Sequence, residues 1–378
     1  MLKCYNEIAI VPPISDSSNI SIDAVLERAA VWFLRSGIQE TSGGVARYYL
    51  SDRCRNAAVS TEITGYALST LLLLDRLFPG AGYRGAAERA ARFLVDHAWN
   101  EQGSTFPFEL SSNGHPSYCY FFDCGIIARG LMAAWRTTGD PEYFERAKEC
   151  GLSMAFDFMA DDAMHPVLEL PNKQPLAREP RWSRQPGCYQ LKSALAWQEL
   201  ADETGHRELS SAFERMVSYS LATHDAFLPG DADPARVMDR LHAYGYFLEA
   251  LLFVKDRPET AAALNRGIGR MSALLRRIEP RFVRCDVYAQ LLRVRLFAAW
   301  AGWCPLDRTL AREEAARIAG FQASDPDPRV DGGFYFGRKE GAWMPFINPV
   351  SAAFAIQALA LWREHEDGGL RTPLLELI

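Results

Sequence analysis

Apolar positions along this chain fall into two alternating textures. Six segments are apolar around most of their circumference and carry few charges; they begin near Glu62, Asp123, Tyr189, His242, Asp286 and Asn348. A helix that is apolar all round is buried rather than laid on a surface. Between them lie six amphipathic segments, at about 22–36, 84–98, 141–158, 207–221, 258–277 and 307–321. Their apolar residues recur three and four positions apart, with Glu and Arg on the remaining face, which is the helical period. Asp140-Pro141-Glu142 and Asn348-Pro349 each put a capping side chain before a first-turn proline. No run sustains a two-residue alternation, so strands are expected only as small hairpins inside loops.

The connections are asymmetric. Dry-to-amphipathic links are short and turn-like: Phe78-Pro79-Gly80, Thr138-Gly139-Asp140, Thr204-Gly205-His206 and Asp256-Arg257-Pro258. The reverse links are mostly long, at about 38–59, 99–121, 159–187, 222–240 and 322–347, with 278–284 the short exception. Loops of that length in a compact chain are usually functional. An all-α (α/α)6 toroid accounts for both facts. Six dry inner helices and six amphipathic outer ones put every long loop on the face that carries the inner-helix amino ends. A helical solenoid is the alternative, but both helices of each pair would then be half exposed, and the second is consistently drier. The organisation expected is an N-terminal segment 1–20, a single barrel over 21–366 and a C-terminal tail 367–378.

Composition narrows the class. With 48% hydrophobic and 23% charged residues the chain is a packed globular one. A net charge of -6 argues against nucleic acid as a partner. The first residues carry no secretory pattern, and the uncharged run Gly341–Trp362 is interrupted by Pro345, Asn348 and Pro349, so no membrane span and a cytoplasmic location are expected. Eight cysteines without a CxxC pair read as reduced, packed thiols. His115, Cys119, Asp123 and Cys124 are metal-ligand types, yet their spacing fits no zinc pattern, and neither metal nor cofactor is expected.

Two short motifs carry a resemblance. TEITGYALSTLLLL (61–74) resembles the Glu-Val-Thr-Gly-Tyr inner-helix start of (α/α)-toroid proteins of bacterial polysaccharide metabolism, and GGFYF (332–336) is similar to a Gly-Gly-aromatic turn before inner helices there. That superfamily includes six-hairpin glycosidases, unsaturated glucuronyl hydrolases, polysaccharide lyases, sugar 2-epimerases and, more distantly, terpenoid cyclases. The resemblance implies the toroid fold and carbohydrate chemistry. In unsaturated glucuronyl hydrolases an Asp at an inner-helix start is the general acid/base, which implies that role for Asp123. Gly302-Trp303-Cys304 looks like a lanthionine-cyclase zinc motif, but Pro305 follows and no Cys-His pair exists. Asp231-Ala232-Asp233-Pro234 and Asp325-Pro326-Asp327-Pro328 do not match the acidic motif of terpenoid cyclases.

The inner-helix starts gather Glu62, Asp123, Arg240, His242, Asp286 and Asn348, with Tyr120, Tyr189 and Tyr288 beside them. The loops add His115, Trp182, Arg284 and Trp343. Flat aromatic faces and a few placed polar groups suit sugars. Two carboxylates flanking a glycosidic bond supply acid and base, or acid and nucleophile. Asp123 stands where a helix begins, so capping alone would also explain it. Glu62 would also complement a helix dipole. Arginines gathered at a face of helix amino ends favour an anionic ligand such as a uronate. These residues point to a glycoside hydrolase acting on an acidic oligosaccharide, with Asp123, Glu62 and His242 as the chemical groups. A lyase or an epimerase on the same fold, or a glycan-binding or assembly protein without chemistry, are the alternatives.

Overall fold

The computed structural model describes residues 21–110, 117–161, 163–179, 181–228, 233–254 and 257–378. The segment 1–20 and His115 lie outside the described residues. Twelve α-helices occur among them: α1 (Ile22–Arg35), α2 (Thr61–Leu77), α3 (Tyr83–Arg92), α4 (Phe121–Thr138), α5 (Pro141–Asp157) and α6 (Leu191–Thr204), then α7 (Arg207–Phe227), α8 (Pro234–Leu251), α9 (Pro258–Ile278), α10 (Cys285–Trp300), α11 (Arg308–Ala319) and α12 (Pro349–Glu366).

The even-numbered helices form the inner ring. Each touches the next, and α12 touches α2, which closes the circle and excludes a solenoid. The odd-numbered helices pack outside, α3 between α2 and α4, α5 between α4 and α6, and so on round to α1 against α12. Burial follows the sequence pattern. Inner α10 and α12 are buried on every side, whereas α1 buries only the stripe Val25, Leu26, Ala29, Ala30, Trp32 and Phe33. The fold is an (α/α)6 toroid.

Two glycines set how closely the inner helices approach. A Cβ on Gly125 of α4 would lie 2.4 Å from the Ser193 carbonyl oxygen of α6, and one on Gly130 would lie 2.9 Å from that of Gly65 on α2. Side chains at these positions would force the ring apart.

Three features depart from the sequence reading. First, α8 begins at Pro234, about two turns before His242. Asp233 and Pro234, read as loop, instead form its cap and first turn, with Asp233 Oδ1 accepting from the Ala235 amide at 3.0 Å. His242 and Arg240 therefore lie well inside the helix.

Second, the small antiparallel sheets join separate loops rather than only forming hairpins. Phe346–Ile347 pairs with Tyr49–Leu50, Ser117–Tyr120 with Val167–Leu170, and Phe282–Arg284 with Gly337–Lys339. These ties stiffen the rim where the long loops meet. Third, the tail is part of the barrel. It turns under the short-loop end, where Lys192 Nζ donates to the Ile378 carbonyl oxygen at 3.0 Å and Arg129 Nη1 to that of Leu377 at 3.1 Å.

Candidate functional site

The interior of the ring is layered, because side chains four residues apart on a helix stack along one face. In the uppermost layer stand Glu62 of α2, Asp123 of α4, His242 of α8 and Asp286 of α10. Below it lie Tyr66, Tyr246 and Phe354, with Phe122 set against Tyr246. Although α2 and α8 face each other across the ring, Tyr66 and Tyr246 meet in its middle. Phe354 packs edge-on against both, at 5.4 and 6.2 Å between ring centres, and Phe122 sits 4.7 Å from Tyr246. This aromatic layer floors the mouth.

Local structure fixes the two carboxyls. Ser60 caps α2, and the Thr61 hydroxyl donates to the Pro107 carbonyl oxygen at 2.7 Å, anchoring the helix start that carries Glu62. The cap position of α4 belongs to Tyr120, so Asp123, its third residue, is not the cap. Asp123 is 5% exposed, and its Oδ2 has no hydrogen-bond partner. A buried unpartnered carboxyl oxygen costs stability unless the group is protonated or a ligand occupies it. Burial, with the neighbouring Glu62, pushes the Asp123 carboxyl well above its ordinary range, against the pull of Arg47. Glu62 is raised to about 7, again by burial, with Arg47 opposing.

Arg47 has no place in the sequence-derived set. It comes from the first long loop, pairs with Glu109, and lays its guanidinium 4.7 Å over the Phe108 ring. Its charge reaches both carboxyls.

Opposite stands a second cluster. His242 Nδ1 lies 3.0 Å from Gln290 Oε1 and 3.5 Å from Asp286 Oδ2. Facing two acceptors, Nδ1 carries the proton, and the Nε2 lone pair is left free. Burial and the nearby Arg284 lower the His242 pKa to about 4, so the ring is neutral at pH 7. Arg284 grips Asp286 in a fork, Nε to Oδ1 at 3.0 Å and Nη2 to Oδ2 at 2.5 Å. Burial alone would raise Asp286, but Arg284 and His242 outweigh it and hold the carboxylate ionised. Arg284 also reaches Asp239 at 3.2 Å and stacks on Phe336. With its donors committed it serves as a support for this cluster.

The remaining expected site residues divide. Tyr189 is buried, with Trp182 edge-on at 5.1 Å and Phe122 at 5.9 Å, and Tyr120 packs on Phe108 below Arg184. These line one side of the mouth. Trp343 stacks on Tyr335 at 5.1 Å on the rim. Asn348 caps α12, its Oδ1 accepting from the Ser351 amide at 2.9 Å. Arg240 turns towards the end of α7, stacked on Phe227 and donating to its carbonyl oxygen. Tyr288 does not join the mouth. It points outward between α9 and α11, beneath Arg317, because it sits on the outer side of α10, two positions from Asp286. Among the described residues no group of three or more His, Cys, Asp or Glu side chains is arranged to hold a metal ion. No described helix is long and apolar enough to cross a membrane.

Solved structures share this fold. A sugar epimerase from a ruminal bacterium superposes with a TM-score of 0.67 at 10% identity, over 90% of this chain and 99% of its own. Cellobiose 2-epimerase from Spirochaeta thermophila DSM 6192 gives 0.66 at 13% identity, over 91% of this chain and 98% of its own. A GH76 alpha-mannanase from Bacteroides thetaiotaomicron gives 0.63 at 13% identity, over 93% and 98%. No protein-family model matches the sequence, and no curated protein matches it. At such identity the likeness establishes the toroid and leaves the chemistry to the site.

Proposed function

We propose that this protein is a carbohydrate-active enzyme that hydrolyses an acidic oligosaccharide at the long-loop mouth. One observation carries the reading: two carboxyls on neighbouring inner-helix starts, Asp123 buried and Glu62 half-buried, both pushed above their ordinary range, stand above an aromatic floor. Two carboxyls in different surroundings take separate roles. Asp123, the more deeply buried and held well above its ordinary range, donates its proton to the glycosidic oxygen as the bond to the anomeric carbon breaks. Glu62, ionised above about pH 7, activates a water or attacks that carbon itself. Arg47 and Arg184, beside Phe108 and Tyr120, are the cations best placed for a uronate. The sugar-directed names of the three solved structures above add support.

Epimerisation is the second reading, favoured by the neutral, tautomer-fixed His242, whose Nε2 is a base for a carbon-bound proton. The test is release of reducing ends from a panel of acidic oligosaccharides, with NMR of the products to detect epimers. Asp123→Asn should lower kcat about 10²–10⁴-fold with ligand affinity retained. Parent-level turnover by Asp123→Asn defeats the assignment. Epimer formation that His242→Gln abolishes replaces hydrolysis by the second reading. Glycan binding without turnover on any substrate makes the mouth a binding site only.

A further inference from the structure

The opposite end of the barrel holds a cavity that the mouth chemistry does not use. It measures about 470 Å³ and opens between the last turns of α2 and α4, the start of α3 and tail residues 373–378. Small-ligand sites span roughly 300–1,000 Å³. Its walls include Leu73, Ile126, Leu375 and Leu377, an apolar surface supplied by two inner helices and the tail. Around that surface stand four guanidiniums, Arg76, Arg84, Arg129 and Arg136. Each is paired with a carboxylate: Arg84 with Asp75, Arg76 with Glu376, Arg129 with Glu199, and Arg136 with Glu199 and Glu203.

The arginines are held differently. Arg129 and Glu199 form a buried pair at 2.6 Å, with side chains 8% and 6% exposed, and Arg129 also bonds the tail backbone. That pair is a fixed wall. Arg76 is 38% exposed and holds Glu376 of the tail at 3.0 Å, with Thr372 Oγ1 at 2.8 Å. A solvent-open ion pair contributes little, so an incoming carboxylate replaces Glu376 at small cost. A guanidinium fork also matches a planar carboxylate better than an ammonium does.

We propose that this cavity binds a small amphipathic carboxylate, its apolar body against Leu73, Ile126 and Leu377 and its carboxylate on Arg76. The site is independent of the glycan reading, because the aromatic layer of Tyr66, Tyr246 and Phe354 separates it from Glu62 and Asp123.

The experiment is calorimetric titration of the whole chain with decanoate and with decanol, its neutral counterpart. Decanoate should bind about two- to fivefold more tightly, the worth of one partly exposed ion pair. Arg76→Gln should remove that preference while leaving decanol affinity unchanged. Ala133→Trp, which fills the cavity from α4, should abolish binding of both; if that variant does not fold, the Arg76→Gln comparison decides alone. Equal affinity for the two ligands, decanoate binding unchanged in Arg76→Gln, or no binding of either overturns the proposal. Glycan turnover is not the readout, so failure of the hydrolase reading leaves this result intact.

Discussion

At the short-loop end of the barrel, Lys192, Glu249 and Arg293 have side chains with no solvent exposure. Glu249 lies between the two cations, 3.3 Å from Lys192, and Arg293 also donates to Gln357 at 3.0 Å and stacks 3.9 Å over the Phe354 ring. At the long-loop end, Asp123 is nearly as deep and Glu62 half-buried, yet Asp123 Oδ2 has no partner and Glu62 helps to raise Asp123. The same ring of helices thus buries charge in two ways. Below the aromatic layer, opposite charges meet, although Glu249 Oε2 and Arg293 Nε make no hydrogen bond. Above it, beside the paired Arg284 and Asp286, two carboxyls meet and Asp123 Oδ2 stays open. Buried unsatisfied groups lower stability and occur at both ends, but at the mouth the open oxygen belongs to a carboxyl set beside another carboxyl, which marks that end as the place where something binds or reacts.

The contrast can be broken from either side. The largest effect should come at the lower end. Glu249→Gln leaves Lys192 and Arg293 buried together without their counter-ion, and removing one partner of a buried pair costs about 3–5 kcal/mol. Lys192, already lowered to about 7 chiefly by burial, would then release its proton more readily. Urea unfolding measures this, and a loss below about 1 kcal/mol would mean that the lower layer is no better satisfied than the upper one.

A smaller effect belongs to Glu62 and depends on pH. Its folded pKa lies above its ordinary value of 4.5, so the folded protein binds more protons between 4.5 and about 7. Stability from this group is therefore fully present below pH 4.5 and is lost as pH rises through 7, by roughly 3 kcal/mol. Melting curves of Glu62→Gln should lack that decline, and identical pH profiles for parent and variant would place the raised pKa elsewhere. The smallest change should be in the stability of Asp123→Asn. Burial favours the neutral form of this carboxyl, and a neutral amide of the same shape replaces it at little cost, so the folding free energy should stay within about 1 kcal/mol of the parent. A large destabilisation would mean that Asp123 is ionised and structurally paired.

Much of this site was legible because inner-helix starts are marked in the sequence. Ser60-Thr61 before Glu62, and the loop-to-helix change at Tyr120–Asp123, located both carboxyls. Tyr246 and Gln290 were missed, though a signal existed: each lies four residues beyond a mouth residue, His242 and Asp286, and so continues the same inward face. Arg47 carried no such mark. It sits in a loop whose course is set by the pairing of Val45–Ala46 with Val59–Ser60 and by Glu109 from another loop. Tyr288 shares a helix start with Asp286 but not its face, since positions two apart on a helix point to different sides. His242 lies inside α8 rather than at its start, because Asp233-Pro234, loop-like in composition, supplies the cap and first turn.

The sequence by itself determined the alternation of dry and amphipathic helices, and with it the toroid and the face that bears the long loops. Those are consequences of local periodicity and burial, which every segment carries independently. Only the tertiary structure decided which charges are neutralised. That depends on which side chains from distant segments come within a few ångströms: Arg284 on Asp286, Arg47 near Glu62 and Asp123, the tail beneath Lys192 and Arg293. Coulomb interactions and desolvation act through distance in space, and spacing along the chain does not encode it.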